Sequence, residues 1–184
     1  SSVYVPNAVQ YHSPRFGGVQ VQLEYAPSES TAVGNKAGKA IGVRYDGGPL
    51  SATFVNYTGA TAAATTLKAV NQFAVSYDFS VVKVFFTIRD QGGLASDQDN
   101  SYALGLTAPV GPGLIYASFN NNEQVGDDGR TIIAGYKYFL SKRTQAYVNV
   151  ARRNAAWIPA TVTGAGGNGA KSSTGFGFGL QHNF

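Results

Sequence analysis

Hydrophobic and polar residues alternate one by one through most of the chain. From Val19 to Tyr25, valine, leucine and tyrosine take every second position, and glutamine or glutamate take the positions between them. The same period recurs in the segments Ile41–Asp46, Phe73–Phe79, Val82–Arg89, Tyr102–Thr107 and Phe176–Phe184. A period of two is typical of β-strands, because successive side chains leave opposite faces of a strand. No period of 3.6 residues is sustained, so the pattern predicts an all-β fold.

The alternation predicts eleven strands joined by connections that are short and long in turn. The predicted strands are Asn7–Ser13, Val19–Ala26, Lys39–Tyr45, Leu50–Tyr57, Ala69–Phe79, Val82–Asp90, Asn100–Ala108, Leu114–Asn120, Thr131–Phe139, Gln145–Arg152 and Thr174–Phe184. In an antiparallel meander, alternate connections lie at opposite ends of the sheet. One end then has tight turns and the other has long loops, which is the layout of outer-membrane β-barrels. A soluble β-sandwich is the alternative fold, but its loop lengths are not normally sorted by end.

Composition narrows the class of protein further. Charged residues make up 13% of the 184 residues, against about 25% in an average soluble domain. The chain has no cysteine, which excludes a disulfide scaffold, a zinc ribbon and a thiol nucleophile. It also has no apolar run of about 18 residues, so no membrane helix is predicted. The net charge of +4 is compatible with an anionic partner or a basic channel lining.

Three motifs resemble the general porins of β-proteobacteria. NAVQYHSPRFGGVQVQLEY (Asn7–Tyr25) is similar to a strand-turn-strand of that family, and FLSKRTQAYVNVA (Phe139–Ala151) is similar to its late SKRT turn. GFGFGLQHNF (Gly175–Phe184) is similar to its last strand, which ends in phenylalanine. The three motifs occur in the family's order and span essentially the whole chain.

The resemblance implies a transmembrane antiparallel β-barrel of sixteen strands, of which residues 1–184 form the C-terminal eleven. The first strands and the loop that narrows the pore would then precede Ser1, and strand parity independently requires an odd number of earlier strands. The implied function is passive diffusion of small hydrophilic solutes and anions across a Gram-negative outer membrane. The implied partners are two further copies in a homotrimer, the lipid bilayer and lipopolysaccharide. No enzyme activity, no cofactor and no nucleic-acid partner are expected.

The candidate pore-lining residues are charged side chains on the polar face of the strands. Such charges would cost roughly 2–4 kcal/mol on the lipid face for Arg or Lys, so they are expected in the water-filled lumen or at its rims. The basic and acidic candidates are Arg44, Lys83, Arg89, Lys137, Glu24 and Asp78, and Asp46 falls on the same polar register. Arg44, Lys83 and Lys137 are predicted to lie well inside their strands, where they would favour anions.

The end of the chain carries a different kind of candidate site. Gly179, His182 and Phe184 resemble the terminal signal that is read during outer-membrane assembly. His182 is placed on the apolar face, where an aromatic role at the membrane interface is favoured over metal binding. Four loop aspartates, Asp97, Asp99, Asp127 and Asp128, could bind calcium or be solvated, but they lack the EF-hand spacing.

Two other functions are compatible with an outer-membrane barrel. The first is an adhesin or interaction protein that binds a partner through its long external loops. The second is an enzyme of the phospholipase type, which would need a serine beside an outward histidine. His182 is the only outward histidine and has no evident serine partner in the sequence. A diffusion channel is therefore the preferred hypothesis, and a pore current would separate it from an adhesin.

Overall fold

The structure is a computed structural model that describes residues 7–28, 37–58, 69–91, 100–122, 129–154 and 172–184. These residues form eleven strands and no helix. The strands are β1 (Val9–His12), β2 (Val19–Ala26), β3 (Gly38–Gly47), β4 (Leu50–Thr58), β5 (Val70–Asp78), β6 (Lys83–Gln91), β7 (Ser101–Val110), β8 (Gly113–Asn122), β9 (Gly129–Phe139), β10 (Thr144–Arg153) and β11 (Ser173–His182). The predicted all-β fold with eleven strands is confirmed. In the part of the chain that the structure describes, no helix is long and apolar enough to cross a membrane.

The strands form one sheet in which they follow each other in chain order from β1 to β11. Antiparallel registers join β1 to β4 in sequence and β7 to β11 in sequence. The connections alternate in length as predicted, because those after odd-numbered strands are shorter than their neighbours. The predicted calcium candidates Asp97, Asp99, Asp127 and Asp128 lie outside the described residues.

Two of the short connections are two-residue turns with the same sequence, Gly-Pro. Gly48 and Gly111 open these turns with φ values of 54° and 56°, and Pro49 and Pro112 follow them. A glycine at positive φ followed by a residue at negative φ suits the type II′ turn, whose twist matches that of the flanking strands. These turns fix the registers of β3 with β4 and of β7 with β8.

The chain divides into two compact units. The first unit contains Ser1–Ser76 and Thr87–Asn100, and the second contains Tyr77–Phe86 and Ser101–Phe184. In each unit, cross-strand partners in the register share a face, so the alternation in sequence becomes two chemically distinct faces. In the first unit, the apolar face carries Val21, Val43 and Phe54, and the polar face carries Gln20 and Arg44.

The second unit has the same two-faced construction. Its apolar face carries Leu106, Ile132, Val150 and Phe178, which neighbouring registers bring to one side. Ala26 is the only buried hydrophobic residue among the described residues, whereas Phe176 and Phe178 are 82% and 87% exposed. A water-soluble β-sandwich would bury such a face between two sheets. Strands that expose aromatic and aliphatic side chains without a core instead suit a hydrocarbon environment.

Ten of the eleven predicted strands differ from the observed ones by one or two residues at one or both ends, and only Val19–Ala26 is identical. β11 ends at His182 because its partner β10 begins at Thr144, which pairs with His182. Asn183 then donates its backbone N–H to the carbonyl of Arg143 in the turn, and Phe184 lies beyond the strand. β1 is four residues long and stops two residues before Pro14, whose ring nitrogen cannot donate to a neighbouring strand.

Candidate pore wall

The polar face of the first unit carries an ion-pair cluster near a short turn. Arg44 donates from Nε and Nη2 to the two carboxylate oxygens of Asp46, at 2.7 and 3.2 Å. Arg15, in the turn between β1 and β2, lies with its Nη2 3.3 Å from Asp46 Oδ2. Arg44 and Asp46 are two positions apart on β3, so their side chains leave the same face. One carboxylate therefore compensates part of the charge of two guanidinium groups.

Backbone contacts fix the position of this cluster. The N–H of Asp46 donates to the carbonyl of Gly18 at 2.9 Å, which joins the turn between β1 and β2 to the end of β3. Gly18 has a φ of +85°, and a Cβ there would lie 2.5 Å from the carbonyl oxygen of Asp46. Only glycine allows this close approach, so the FGG sequence of the turn has a physical explanation.

The other acidic candidate of the first unit is held by a neutral side chain. Glu24, on β2, accepts a hydrogen bond of 2.6 Å from Nε2 of Gln10, its partner on β1. With His12 and Gln22, these residues lie on the same face and contribute the polar side chains that line a shallow depression. His12 is the last residue of β1. Among the described residues, no three histidine, aspartate or glutamate side chains could together hold a metal ion.

The two lysine candidates of the second unit lie against aromatic rings. Lys83 Nζ is 5.5 Å from the ring centroid of Phe85, and Lys137 Nζ is 5.6 Å from that of Tyr116. These distances are typical of cation–π contacts, which hold an ammonium group without neutralising it. Within the described residues, neither lysine has a carboxylate within salt-bridge distance. The second unit thus has two basic groups whose charge is compensated by no carboxylate of the described residues.

The predicted depth of these basic residues is only partly confirmed. Arg44 lies three residues before the end of β3, and Lys137 lies two before the end of β9. Lys83 is the first residue of β6, so the prediction that it lies well inside a strand is wrong. The strand begins at Lys83 because the residues before it form the turn, in which the N–H of Phe79 donates to the carbonyl of Val82. All three basic residues therefore lie towards the short-turn end of their own unit.

The two remaining candidates have different surroundings. Asp78 is the last residue of β5, and its Oδ1 accepts the backbone N–H of Ser80 at 2.8 Å. Ser80 has a φ of 71°, so the carboxylate stabilises a turn that contains an unfavourable backbone conformation. Arg89 is an exposed residue of β6, two residues before its end at the long-loop side, and alternation along the strand gives it the same parity as Lys83.

Two tyrosines on the polar face of the second unit were missed by the sequence patterns. Tyr116 on β8 lies opposite Gly135 on β9, and Tyr147 on β10 lies opposite Gly179 on β11. A Cβ at Gly135 would lie 2.5 Å from the Tyr116 ring, and one at Gly179 would lie 2.6 Å from the Tyr147 hydroxyl. Each ring therefore covers the backbone of a glycine on the next strand. The signal was the glycine content of the strands, but it needs the cross-strand register to be interpreted.

The three candidates at the chain end fall on two faces. His182 pairs with Thr144, and its Nδ1 is 2.9 Å from the Thr144 hydroxyl oxygen. The rings of His182 and Phe184 are in edge-to-face contact with centroids 5.0 Å apart. Gly179 is on the polar face beneath Tyr147, so the structure gives it a packing role apart from the two aromatic residues.

Two-faced antiparallel strands with an exposed apolar face and a charged polar face define a transmembrane β-barrel protein. The sequence pattern of the Gram-negative porin family matches residues 4–156, and the chain belongs to this family. It is therefore a β-strand protein of the Gram-negative outer membrane.

Individual relatives agree with this assignment. The chain is 33% identical to outer membrane porin protein 32 of Delftia acidovorans, over 97% of this chain and 56% of the relative. It is 25% identical to the major outer membrane protein P.IB of Neisseria meningitidis, over 96% of this chain and 56% of the relative. The chain thus spans a little over half the length of these relatives.

Solved structures give the same fold. An anion-selective porin from Comamonas acidovorans matches with a TM-score of 0.77 and 28% identity, covering 96% of this chain and 59% of that one. A variant of the Rh. blastica porin matches with a TM-score of 0.64 at 16% identity, covering 98% of this chain and 56% of that one, which supports the fold alone. Members of the family are channels, which makes the polar faces of this chain candidates for a channel wall.

Proposed function

We propose that the chain forms part of the wall of a water-filled channel through which small hydrophilic solutes diffuse passively across the outer membrane. In this proposal the apolar faces contact lipid and the polar faces contact the channel water. The exposed Phe176 and Phe178 support the first assignment, since nothing in the described chain covers them. The proposed activity is diffusion without a catalysed reaction, and the missing wall and constriction are supplied by a longer protein that contains residues 1–184.

We further propose that the channel prefers anions, and this proposal rests on the two lysines that have no carboxylate partner among the described residues. Lys83 and Lys137 are held on aromatic rings, so their charges act on passing ions. Arg44 contributes less because Asp46 compensates it at 2.7 Å. The Comamonas relative is described as anion-selective, which supports the same preference here. The proposed pore-lining set remains Arg44, Lys83, Arg89, Lys137, Glu24 and Asp78, with the two lysines as its main determinants.

Reconstitution of the full-length protein in planar bilayers tests both parts. Stepwise current increases are expected for a channel, and their absence would favour an interaction barrel that acts through its long loops. In a KCl gradient, changing both Lys83 and Lys137 to glutamine should shift the reversal potential towards cations. The shift should shrink at 1 M salt, where the Debye length is about 3 Å.

A matched control separates wall charge from total charge. Lys39 is exposed and lies on the apolar register of β3, opposite Tyr25 and Thr58. Lys39→Gln removes the same charge from the other face, so its reversal potential should stay close to that of the wild type. An equal shift in Lys39→Gln and in the lysine pair, charge for charge, would refute a selectivity set by the polar face.

The assembly state proposed from the family resemblance is a homotrimer in a bilayer that contains lipopolysaccharide. Gly179, His182 and Phe184 are proposed to form the assembly signal of this trimer. Migration as an SDS-resistant, heat-dissociable species of three copies is the expected result for the full-length protein. A monomer in mild detergent at every concentration would contradict the trimer while leaving the channel proposal intact.

A further inference from the structure

The polar face of the second unit contains a group of aromatic residues around one lysine. We define the Lys137 cluster as Tyr116, Lys137, Phe139 and Tyr147, which the registers of β8, β9 and β10 bring to one side of the sheet. Lys137 is the direct cross-strand partner of Tyr147, and Phe139 lies two positions further along the same strand. Residues in these relations have neighbouring side chains on one face.

Two glycines hold the tyrosine rings of the cluster against the sheet. Gly135 and Gly179 lie directly opposite Tyr116 and Tyr147, and a Cβ at either position would overlap the ring or its hydroxyl. Each ring therefore has one side on the backbone of a neighbouring strand. A ring fixed in this way has little conformational entropy left to lose when a second flat group stacks on it.

The charge and polarity of the cluster identify the chemistry of a ligand. Lys137 is 5.6 Å from the Tyr116 ring and has no acidic partner among the described residues. Phe139 is 46% exposed on a face whose other positions on β10 include Gln145 and Asn149. An exposed phenylalanine two positions along β9 from an ammonium group without an acidic partner in the described chain complements a solute that is flat and apolar at one end and anionic at the other.

We propose that the Lys137 cluster is a weak binding subsite for aromatic carboxylates on their way through the channel. The solute ring stacks on the aromatic side chains of the cluster, and its carboxylate accepts hydrogen bonds from the Lys137 ammonium group. This inference rests on the proposed function, because it requires that the polar face of the second unit contacts the channel water. It adds a solute class that a general anion preference does not distinguish.

The test is inhibition of chloride current through the full-length protein in planar bilayers by four probes. Benzoate has both features, cyclohexanecarboxylate lacks the aromatic ring, acetate lacks any ring, and benzylammonium reverses the charge. Benzoate should block half the current at a concentration about threefold to tenfold lower than cyclohexanecarboxylate, since stacking geometry adds to the burial of a ring. Acetate and benzylammonium should be weaker still.

Four variants locate the effect. Lys137→Gln and Phe139→Ser should each raise the half-blocking benzoate concentration by about threefold or more, since cation–π and aromatic contacts contribute at this scale. Phe139→Tyr should restore the wild-type value because it returns the ring. Lys142→Gln is the matched control, since Lys142 is exposed in the adjacent turn and outside the cluster.

The outcomes separate this inference from the proposed function. If the protein conducts but benzoate and cyclohexanecarboxylate block equally, the subsite is refuted and the channel stands. If Lys142→Gln weakens the benzoate block as much as Lys137→Gln, the effect is general electrostatics and the subsite is again refuted. If the protein forms no channel, the proposed function fails first, as the absence of any current shows.

Discussion

The carboxylate of Asp46 holds the guanidinium group of Arg44 by two hydrogen bonds, at 2.7 and 3.2 Å. Two parallel N–H···O bonds fix the orientation of an arginine more strongly than a single contact does. Arg15 reaches the same carboxylate from the preceding turn at 3.3 Å. The three groups together carry a net charge of +1, so the basic character of this part of the proposed channel wall depends on the aspartate as much as on the two arginines.

Asp46→Asn should make the channel more selective for anions. The change removes one negative charge and releases two guanidinium groups while it keeps the size of the side chain. The reversal potential in a KCl gradient should shift towards anions at 0.1 M salt, and the shift should shrink strongly at 1 M, where the Debye length is about 3 Å. Asp90→Asn is the matched control. Asp90 leaves the face of β6 opposite to that of Lys83, and it lies one residue before the end of the strand at the long-loop side. Equal shifts in both variants would show that the position of Asp46 is unimportant.

The sequence contained most of the fold and part of this site. The period of two was sufficient to predict the eleven strands and which residues share a face. The turn residues were sufficient to predict the short connections. The pairing of Arg44 with Asp46 was also accessible, since residues two apart on a strand share a face. The acidic residues predicted on the polar face were Glu24, Asp46 and Asp78, and the structure shows Glu24 bound to Gln10 and Asp78 bound to the Ser80 backbone.

The tyrosine–glycine pairs could not be predicted, because they depend on register across the longer connections. Tyr116 and Gly135 are joined through residues 123–128, and Tyr147 and Gly179 through residues 154–172. A connection of that length does not determine which residues of the two strands face each other, whereas a two-residue turn does. A shift of one residue would have placed each glycine on the other face.

The two glycines beneath the tyrosines should respond differently to alanine. At Gly179 the added Cβ meets the Tyr147 side chain, starting with its hydroxyl at 2.6 Å, and this side chain can swing away. At Gly135 it meets both the Tyr116 ring and the Val148 carbonyl oxygen at 2.6 Å, and this backbone atom cannot move alone. We expect Gly179→Ala to lower the free energy of unfolding by about 1 kcal/mol and Gly135→Ala by about 2–3 kcal/mol.

Second substitutions check the cause of each loss. In the Gly179→Ala background, Tyr147→Leu should lower the free energy of unfolding by less than it does in the wild type. The reason is that removing the tyrosine ring also relieves its conflict with the added Cβ. In Gly135→Ala, adding Tyr116→Leu should recover little, since the conflict with the Val148 carbonyl persists. Urea unfolding of the full-length protein in lipid vesicles measures the free energy of unfolding of the wild type, the single variants and the two double variants. Strict additivity in the first pair would contradict the proposed contact.

Asp78 should matter for its turn more than for its charge. Asp78→Asn keeps an oxygen that can accept the Ser80 N–H, whereas Asp78→Ala removes it. The alanine variant should lose about 1 kcal/mol of unfolding free energy, and the asparagine variant much less. Ser80→Gly in the alanine background should recover part of the loss, since glycine adopts a φ of 71° without strain. An asparagine variant with normal stability but a large selectivity shift would instead establish Asp78 as a determinant of the pore charge.

Deleting Phe184 should impair assembly without weakening the assembled protein. Phe184 lies beyond the end of β11, is fully exposed, and touches only the edge of His182 among the ring contacts of the described residues. A side chain with so little burial contributes little to folded stability. The trimers that do form are therefore expected to dissociate at the same temperature as the wild type. Their yield should nevertheless fall, if the exposed ring is what the assembly machinery recognises.

Phe184→Tyr should give the wild-type yield because it keeps an aromatic end, and Phe184→Ala should behave like the deletion. The measurements are the amount of SDS-resistant trimer in outer membranes and the temperature at which it dissociates. A normal yield from the deletion would remove Phe184 from the proposed signal, and a lowered dissociation temperature would show that it acts through stability.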